Sequence, residues 1–430
     1  MFILYDLIFL IFVIIYLPVF ILRRKFHSGF LMRLGILPQD MEFHNPIWVH
    51  AVSVGEVMAV KNLIKQLKEA YPQRQILITT VTPTGNRIAR NLVQGNDKVG
   101  YLPLDFSFIV RRFIDKIDPY FFIAAETEIW PNLVTLLNKK NIPVVIVNGR
   151  ISDSSFRGYS RVRLFLSPIL RKVSFFCIQT ARDAERLMSL GVDPKKIKVT
   201  GNMKFDLDDC ALNKKDYGDL RLKLGLKPED KLLVCGSTHP GEEKMILGVY
   251  KELCRSHPDL RILIAPRHPE RSQEVVSLSE SLGFKSARVS QLTSQPGVSG
   301  MRPPYPQAGD TVFILDTVGE LVDFYAIAEV VFIGGSLVKK GGHNILEPAA
   351  LKKPVLFGPH MNNFRDIASL FCDNQAVIAV RSIEELKIRI DELLKNPVAR
   401  AVLGEKSREL ILKNQGATRR NTECIKTYGN

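Results

Sequence analysis

The sequence lacks the patterns of several common kinds of site. Its six cysteines form no Cys-x-x-Cys pair, and none of its eight histidines stands in a His-x-x-His or His-Glu-x-x-His spacing. Neither a disulfide framework nor a zinc site is therefore expected, and the scattered thiols are typical of a reduced compartment. Aromatic residues are not interleaved with basic ones, as they would be on a surface that stacks nucleic-acid bases. We expect no metal, no cofactor and no nucleic-acid partner.

What the chain does contain is an ordinary globular composition with a strong basic excess. Of its 430 residues, 46% are apolar and 24% are charged, and the formal net charge is +15 at pH 7. A chain of this length is too long for one hydrophobic core, so two domains are expected. With nucleic acid set aside, the partner that best explains the charge is an anionic membrane surface.

The N-terminus carries a long apolar run. Phe2–Leu22 is close to the ~20 residues that cross a bilayer, and basic residues follow at 23–25. Basic residues after the run favour a cytoplasmic location for the rest of the chain, whereas a cleaved signal peptide would have charge before the run. Residues 1–25 are therefore predicted to be a membrane-anchor helix. Asp6 and Pro18 interrupt the run, which leaves open a helix that lies in the membrane interface.

From residue 46 onward, short apolar segments alternate with amphipathic helical patterns. The predicted strands are 47–51, 76–80, 121–125, 144–147, 175–178, 232–235, 262–265, 312–315, 330–333, 355–357 and 377–380. This alternation predicts α/β domains, each with a parallel sheet covered by helices on both faces. A polar linker at 207–220 separates a first domain at 26–206 from a second at 221–405, and the loop at 290–310 is expected on the surface. The helical tail at 406–430 could cross back to the first domain.

Both halves of the chain begin in the same way. In each, an apolar strand leads into a Gly/Ser loop and then into a helix that starts with glutamate, at residues 50–56 (HAVSVGE) and 235–243 (CGSTHPGEE). Doubly wound domains bind ligands at the carboxyl ends of their strands. We therefore expect two Rossmann-like domains that face each other across a ligand-binding cleft.

Residues 331–350, VFIGGSLVKKGGHNILEPAA, carry the strongest signal for a ligand. Glycine pairs let the backbone approach a ligand, and the helix start predicted at His343 and Asn344 would offer free N–H groups to a phosphate. Lys339 and Lys340 add positive charge, and Glu347 could accept hydrogen bonds from ribose hydroxyls. The segment predicts a cradle for a nucleotide mono- or diphosphate. An ordinary strand–loop–helix turn with solvated lysines is the alternative.

Carboxylates at two strand ends are candidates for acid–base chemistry. Glu56 stands in the first turn of a helix behind Ser53 and Gly55. It could be a general base that takes a proton from a hydroxyl, or a carboxylate favoured by the helix dipole. Glu126 and Glu128 end a strongly apolar strand, where charge is costly unless it is paired or functional. The alternative is that one of them caps the next helix.

Basic side chains accompany these loops. Lys204, in GNMKFD (201–206), is suited to stabilising a developing negative charge, and Arg267, in APRHPER (265–271), suits a phosphate or a carboxylate. Each could equally be a solvated surface charge. Asp206 and Asp208 form an Asp-x-Asp pair, which binds metal in some sugar-nucleotide transferases. Because the pair falls in the polar linker, no metal is assigned to it.

Taken together, these segments resemble the family of 3-deoxy-D-manno-octulosonic acid (Kdo) transferases of lipopolysaccharide assembly. Ten motifs carry the resemblance in order along the chain: HAVSVGE (50–56), TTVTPTGNRIA (79–89), ETEIWPN (126–132), VNGRIS (147–152), GNMKFD (201–206), GSTHPGEE (236–243), APRHPER (265–271), DTVGEL (316–321), GGSLVKKGGHNILEPAA (334–350) and FGPHMNNF (357–364). The family implies a GT-B fold, with an acceptor-binding domain followed by a donor-binding domain, and a location at the inner membrane.

The resemblance also implies roles for single residues. Glu56 matches the family's general base, and Glu126 and Lys204 match positions credited with supporting the transition state. Contacts to the CMP part of the donor fall on three loops: Pro266, Arg267, Val318, Gly319, Glu320, Asn344, Ile345, Leu346 and Glu347. The sequence departs from the family's pattern at Ile345 and in the basic pair at 339–340, without disturbing these roles.

The activity that the resemblance implies is an inverting, metal-independent transfer of Kdo. The donor is CMP-Kdo, and the acceptor is a lipid A precursor (lipid IVA) and, in some members of the family, Kdo already added. The sequence leaves two other enzymes open, namely a different GT-B transferase and a sugar-nucleotide 2-epimerase. From another class, a membrane-tethered basic binding protein without catalysis is the alternative.

Overall fold

The computed structural model describes residues 2–22, 29–39, 41–207, 217–292 and 311–428. The chain divides into two compact units: unit 1 comprises Met1–Asp206 and Asn414–Asn430, and unit 2 comprises Leu207–Lys413. Most of the predicted linker, most of the predicted surface loop at 290–310 and the basic residues at 23–25 lie outside the described residues.

Unit 1 is built on seven parallel strands: β1 (Ile47–His50), β2 (Ile76–Thr80), β3 (Lys98–Tyr101), β4 (Phe121–Ala125), β5 (Val144–Gly149), β6 (Phe175–Ile178) and β7 (Ile197–Val199). They lie in the order β3-β2-β1-β4-β5-β6-β7. The direction of this order reverses between β1 and β4, and such a reversal is where doubly wound sheets bind their ligands. Apolar side chains on the two faces of the sheet form two buried clusters.

The α-helices described in the N-terminal part of unit 1, up to residue 206, are α1 (Phe2–Leu22), α2 (Phe30–Arg33), α3 (Val54–Ala70), α4 (Pro83–Arg90), α5 (Ser107–Ile117), α6 (Pro131–Lys139), α7 (Asp153–Arg161), α8 (Arg163–Leu170) and α9 (Ala181–Ser189). In α3, Val57, Val60, Ile64 and Leu67 recur at spacings of three and four residues and are buried. This spacing places them on one face of the helix, which packs on the sheet.

Helix α1 extends over the whole apolar run that the sequence marks out. Its first turns pack on the rest of unit 1. The ring centroid of Phe9 lies 4.9 Å from that of Phe106, and the ring centroid of Tyr5 lies 6.2 Å from that of Phe165. Many large apolar side chains of α1 nevertheless remain exposed. Across the described ranges, no helix combines the length and the apolarity that crossing a membrane requires, so the predicted transmembrane anchor is not supported.

Unit 2 contains a second sheet of seven parallel strands: β8 (Lys231–Thr238), β9 (Leu260–Pro266), β10 (Lys285–Arg288), β11 (Thr311–Ile314), β12 (Val330–Ile333), β13 (Val355–Phe357) and β14 (Ile378–Ala379). Their order is β10-β11-β9-β8-β12-β13-β14. In this sheet the direction reverses between β8 and β12. The prediction of two parallel-sheet α/β domains is therefore confirmed.

The helices that follow are α10 (Gly218–Lys223), α11 (Glu242–Leu253), α12 (Ser272–Ser281), α13 (Leu321–Ala326), α14 (Leu346–Ala350), α15 (Arg365–Asp373), α16 (Ile383–Lys395), α17 (Pro397–Asn414) and α18 (Ala417–Lys426). Between the last two, Gly416 has a left-handed backbone with φ +87, which glycine adopts without a steric penalty. The chain turns there, and α18 belongs to unit 1.

The Asp-x-Asp pair has a structural member. Asp206 accepts hydrogen bonds from the N–H groups of Gly416, over 2.6 Å, and of Thr418, at the start of α18. Asp208 lies outside the described residues. Among the side chains that are described, no group of three or more His, Cys, Asp or Glu residues is arranged to hold a metal ion. Asp206 therefore serves to hold the C-terminal helix on unit 1.

Three strands are missing from the sequence-based prediction, namely β3, β7 and β10. All three lie at the edge of a sheet. The residues of β7 and β10 are mostly half-buried or exposed, so these strands lack the continuous apolar run that marks a strand buried on both faces.

Candidate active site

The first group of candidate residues lies at the carboxyl edge of the unit 1 sheet. Strands β1 and β4 are adjacent and parallel, with His50 in register with Ala124. The chain leaves β1 and enters α3, whose first turn contains Glu56, and it leaves β4 directly at Glu126. The topology of the sheet therefore brings Glu56 and Glu126 to one place.

Glu56 is held by one hydrogen bond to each carboxylate oxygen. The Val52 N–H donates to Oε2 over 2.8 Å, and the Ser53 hydroxyl donates to Oε1 over 2.9 Å. The residue is only 9% exposed. Burial and the charge of Glu126 raise the pKa of Glu56, whereas these hydrogen bonds and the charge of Lys204 lower it, and the net direction is upward. Since each oxygen keeps a lone pair, the carboxylate is both fixed and able to accept a proton.

Glu126 and Lys204 form an ion pair next to Glu56. Nζ of Lys204 lies 3.0 Å from Oε1 of Glu126, and both side chains are partly buried. Lys204 lies on the 3₁₀ turn Met203–Phe205, where its N–H donates to Oδ1 of Asn202 over 3.0 Å. Glu126 has a left-handed backbone with φ +56, which costs a non-glycine residue about 1–3 kcal/mol. Strain at a charged strand end is typical of a functional site.

A third carboxylate, Glu128, belongs to the same place, although the motifs do not assign it a role. Burial, together with the charges of Glu56 and Glu126, raises the pKa of Glu128 from 4.5 to about 7. Part of its population is therefore protonated at neutral pH. Its signal in the sequence is the Glu-Thr-Glu pattern at the end of an apolar strand. We refer to Glu56, Glu126, Glu128 and Lys204 as the carboxylate cluster.

The residues expected to contact CMP lie at the carboxyl edge of the unit 2 sheet. Pro266 ends β9, residues 318–320 follow β11, and residues 344–347 follow β12. Because the strands of this sheet are parallel, their carboxyl ends share one edge. The structure thus places all three predicted loops on the same side of unit 2.

Residues 344–347 are ordered by local hydrogen bonds. The Asn344 amide donates to Oε1 of Glu347 over 3.0 Å, and its Oδ1 accepts the Leu346 N–H over 3.1 Å. Ile345 and Leu346 are buried. Burial raises the pKa of Glu347, while Asn344 and Arg267 act to lower it. Glu347 is therefore fixed as a hydrogen-bond acceptor, as recognition of ribose hydroxyls would require.

The other residues predicted to contact the CMP part of the sugar donor are more exposed to solvent. Val318 is 85% exposed, and Gly319 has a left-handed backbone with φ +98. Glu320 accepts a hydrogen bond from the Thr317 hydroxyl. The side chain of Arg267 is exposed, so its guanidinium can reach a bound anion.

The first half of the glycine-rich loop after β12 has its N–H groups occupied by the protein itself. The N–H groups of Gly335, Ser336 and Leu337 donate over 2.6, 3.0 and 2.8 Å to a single carboxylate. That carboxylate belongs to Glu242, which is fully buried and also accepts the His239 N–H over 3.0 Å. The N–H groups of residues 335–337 therefore do not contribute to the predicted phosphate cradle, whose donors the sequence predicts at the helix start near His343 and Asn344.

Three histidines that the motifs do not explain lie beside the same loop. Nε2 of His239 lies 2.9 Å from Nε2 of His343, and the two rings are stacked. His268 lies edge-on to His239, with ring centroids 6.2 Å apart. Burial and nearby positive charges lower the pKa of His239 and of His343, the latter to about 4. One nitrogen of the pair must donate and the other accept, so this pair offers hydrogen bonding without charge.

Family models match both units. Residues 28–207 match the model described as 3-Deoxy-D-manno-octulosonic-acid transferase (kdotransferase), and residues 307–410 match the model described as Glycosyl transferases group 1. The first match contains the carboxylate cluster. The second contains residues 318–320 and 344–347.

Whole-chain relatives point the same way. The 3-deoxy-D-manno-octulosonic acid transferase of Haemophilus influenzae is 36% identical over 385 residues, which are 89% of this chain and 87% of the relative. The protein of the same name from Chlamydophila psittaci is 30% identical over 435 aligned residues, covering 99% of this chain and 96% of the relative. The similarity therefore extends over both units.

Solved structures of lower identity show the fold. A UDP-GlcNAc 2-epimerase from Neisseria meningitidis is 12% identical over 89% of this chain and 100% of its own, with a TM-score of 0.54. A glycosyltransferase from Rickettsia africae is 15% identical over 90% of this chain and 99% of its own, with a TM-score of 0.57. These likenesses support two α/β units of the kind found in GT-B enzymes. The family models and the whole-chain relatives confirm what the motifs indicate: this chain belongs to the 3-deoxy-D-manno-octulosonic acid transferase family of glycosyltransferases.

Proposed function

We propose that the protein transfers Kdo from CMP-Kdo to a hydroxyl of a lipid A precursor, with inversion at the anomeric carbon. Family membership supports the sugar and the reaction class. The observation that carries the mechanism is Glu56, which two donors hold in place and which burial makes more basic. In the proposed step, Glu56 takes the proton of the acceptor hydroxyl. The hydroxyl oxygen attacks the anomeric carbon as the bond to the CMP phosphate breaks.

The rest of the carboxylate cluster supports this step electrostatically. Lys204, held by Glu126 at 3.0 Å, provides a fixed cation that stabilises negative charge developing during transfer. Glu126 also keeps the pKa of Glu56 high, which makes Glu56 a stronger base. Glu128, partly protonated near neutral pH, can donate a hydrogen bond to the acceptor.

We assign the CMP part of the donor to the carboxyl edge of unit 2. Because Glu242 already binds the N–H groups of residues 335–337, these groups do not bind the single phosphate of CMP, which we assign to a side chain. The exposed guanidinium of Arg267 is suited to that task. Glu347, fixed by Asn344, suits the ribose hydroxyls, and residues 318–320 complete the proposed contact set.

We further propose that the protein works at the surface of the inner membrane. Helix α1 exposes many of its large apolar side chains, and Phe108 on the neighbouring helix α5 is 68% exposed. Arg111, Arg112 and Lys116 lie on the same helix and are exposed. Apolar side chains flanked by basic ones bind anionic lipid surfaces. Such a surface would hold the enzyme close to a lipid acceptor.

The proposal is tested by incubating the full-length protein with CMP-Kdo and a lipid A precursor and analysing the lipid by mass spectrometry. Addition of one or more Kdo units is the expected result, and the mass gives their number. The Glu56→Gln variant, folded and without transfer, is the matched control. Transfer only from a UDP-sugar would support a different GT-B enzyme, and nucleotide binding without any turnover would support a binding protein. Either result would contradict the proposal.

A further inference from the structure

Helix α1 contains one acidic residue in an otherwise apolar segment. The carboxylate of Asp6 accepts hydrogen bonds through both oxygens. Oδ1 accepts the Ser107 N–H over 3.0 Å and the side-chain amide of Asn132 over 2.7 Å, and Oδ2 accepts the Ser107 hydroxyl over 2.5 Å. Asp6 therefore binds the first residue of α5 and a residue in the first turn of α6. Asp6, which interrupts the apolar run in the sequence, therefore attaches α1 to the first turns of α5 and α6.

The preceding residue reaches the same place. The hydroxyl of Tyr5 lies beside the carboxylate of Asp105, which accepts the N–H groups of Asn132 and Leu133 over 3.0 and 2.9 Å. The side chain of Asn132 also donates to the carbonyl oxygen of Asp105 over 2.6 Å. Asp105 and Asn132 are buried. We refer to Tyr5, Asp6, Asp105, Ser107 and Asn132 as the α1 latch.

The latch ends next to the proposed catalytic carboxylates. Residues 126–130 connect the end of β4 to the start of α6 at Pro131 without helix or strand, and they contain Glu126 and Glu128. Glu126 begins this segment in a left-handed conformation, which persists only where the surroundings enforce it. Asn132 lies directly after the segment, in the first turn of α6. Its N–H donates to Asp105, and its side chain donates to Asp6 and to the carbonyl oxygen of Asp105. The segment is thus fixed at one end by the sheet and at the other by α1.

We propose that Asp6 is a positioning residue for the transfer reaction, and that the seating of α1 on Ser107 and Asn132 sets the geometry of Glu126 and Glu128. The role of these two carboxylates rests on the proposed function. The attachment itself does not, since it is a property of the fold. Helix α1 is then part of the scaffold of the active site as well as a surface for lipid.

Asp6→Leu separates the two roles of α1. The substitution makes α1 more apolar, so binding of the full-length protein to vesicles of phosphatidylethanolamine and phosphatidylglycerol should be kept or strengthened, while the latch is lost. We expect kcat to fall by about tenfold or more with little change in the KM for CMP-Kdo, because small misplacement of catalytic groups lowers the rate steeply. Hydrogen exchange should become faster in peptides covering 105–110 and 130–136.

Three further variants make the test specific. Asp6→Asn keeps an oxygen in the place of Oδ1, and with it two of the three contacts, so it should behave almost as wild type in every readout. Ser107→Ala removes only the hydroxyl contact from the α5 side and keeps the N–H contact, so it should give a smaller loss than Asp6→Leu. Lys195→Ala changes an exposed side chain of unit 1 outside the latch and outside α1 and should change neither kcat nor exchange.

The proposal is overturned if Asp6→Leu binds vesicles and keeps wild-type kcat and exchange. It is equally overturned if kcat falls while exchange in 105–110 and 130–136 stays as in wild type, because the loss then does not pass through the latch. The exchange measurement needs no substrate. Faster exchange in Asp6→Leu, in a protein whose wild type transfers no Kdo, would therefore contradict the proposed function and support the latch.

Discussion

The two units begin with the same arrangement and use it differently. Each has a first strand, a Gly/Ser loop and a helix with glutamate in its first turn, Glu56 in α3 and Glu242 in α11. Glu56 accepts one hydrogen bond on each oxygen and faces other carboxylates. Glu242 accepts four backbone N–H groups and is fully buried. Burial raises the pKa of both residues, but Glu56 alone of the two retains free acceptor capacity.

The neighbouring strand decides which role the glutamate takes. Across the reversal of strand order, β1 has β4 as its neighbour and β8 has β12. Strand β4 leads into Glu126, a second carboxylate, which raises the basicity of Glu56. Strand β12 leads into the Gly334-Gly335 pair, where the left-handed Gly335 (φ +68) begins three successive N–H donors that surround Glu242. The same local motif is therefore a structural acceptor in unit 2, whereas in unit 1 it carries the residue that we propose as the base.

The largest effect is expected for the glutamate of unit 1. Glu56→Gln should lower kcat by roughly 10²–10⁴-fold, the usual contribution of a general base. It should not lower the free energy of unfolding, since the amide removes a charge that Glu126 opposes. Single-turnover transfer and urea unfolding, measured on the same preparation, test both statements. A near-normal transfer rate in Glu56→Gln would contradict the role of Glu56 as the base. A clear loss of stability would give Glu56 a structural role like that of Glu242.

The glutamate of unit 2 should show the reverse pattern. In Glu242→Gln, the amide nitrogen that replaces one carboxylate oxygen cannot accept N–H groups, so two of the four donors are left buried and unpaired, either those of Gly335 and His239 or those of Ser336 and Leu337. We expect the free energy of unfolding to fall by about 3 kcal/mol. Urea unfolding followed by circular dichroism measures this loss, with Glu56→Gln as the matched control. Unchanged stability would show that Glu242 is not needed to hold the loop.

A smaller effect is expected for the cation of the carboxylate cluster. Lys204→Met should lower kcat by about tenfold or more and should shift the acid limb of the kcat/KM profile to higher pH, because Lys204 lowers the pKa of Glu56. Glu126→Gln should shift the same limb to lower pH, since its charge raises that pKa. Lys195→Met, at an exposed position, is the control. Shifts in the same direction for both cluster variants would contradict the electrostatic account.

The smallest effect concerns stability and pH. The pKa of Glu128 is raised from 4.5 to about 7 in the folded protein, so the folded state holds a proton that the unfolded state loses. The contribution of Glu128 to stability is therefore lost as pH rises through this window. Glu128→Gln should weaken the fall in the free energy of unfolding between about pH 5 and pH 8. Urea unfolding at several pH values measures it, and a steeper fall in the variant would contradict the assignment.

Local patterns predict much of the fold and a part of the site. The alternation of apolar strands and helices predicts both parallel sheets, because strands buried on two faces are recognisable by themselves. Contacts between distant residues have no such local signal. Three of the four N–H groups that bind Glu242 lie 93 to 95 residues from it in the sequence, and the partners of Asp6 lie 101 and 126 residues away. From the sequence alone, the glycine-rich loop therefore suggests a phosphate-binding site along its whole length, and Asp6 suggests only an interruption of an apolar helix.

The assignment of Glu56 as the base is tested most directly by chemical rescue. Single-turnover Kdo transfer is measured for Glu56→Ala with increasing formate, a small carboxylate that can enter the space left by the side chain. We predict a large loss of rate that formate partly restores, and no formate response in Glu242→Ala. A rate close to wild type in Glu56→Ala without formate would contradict the assignment.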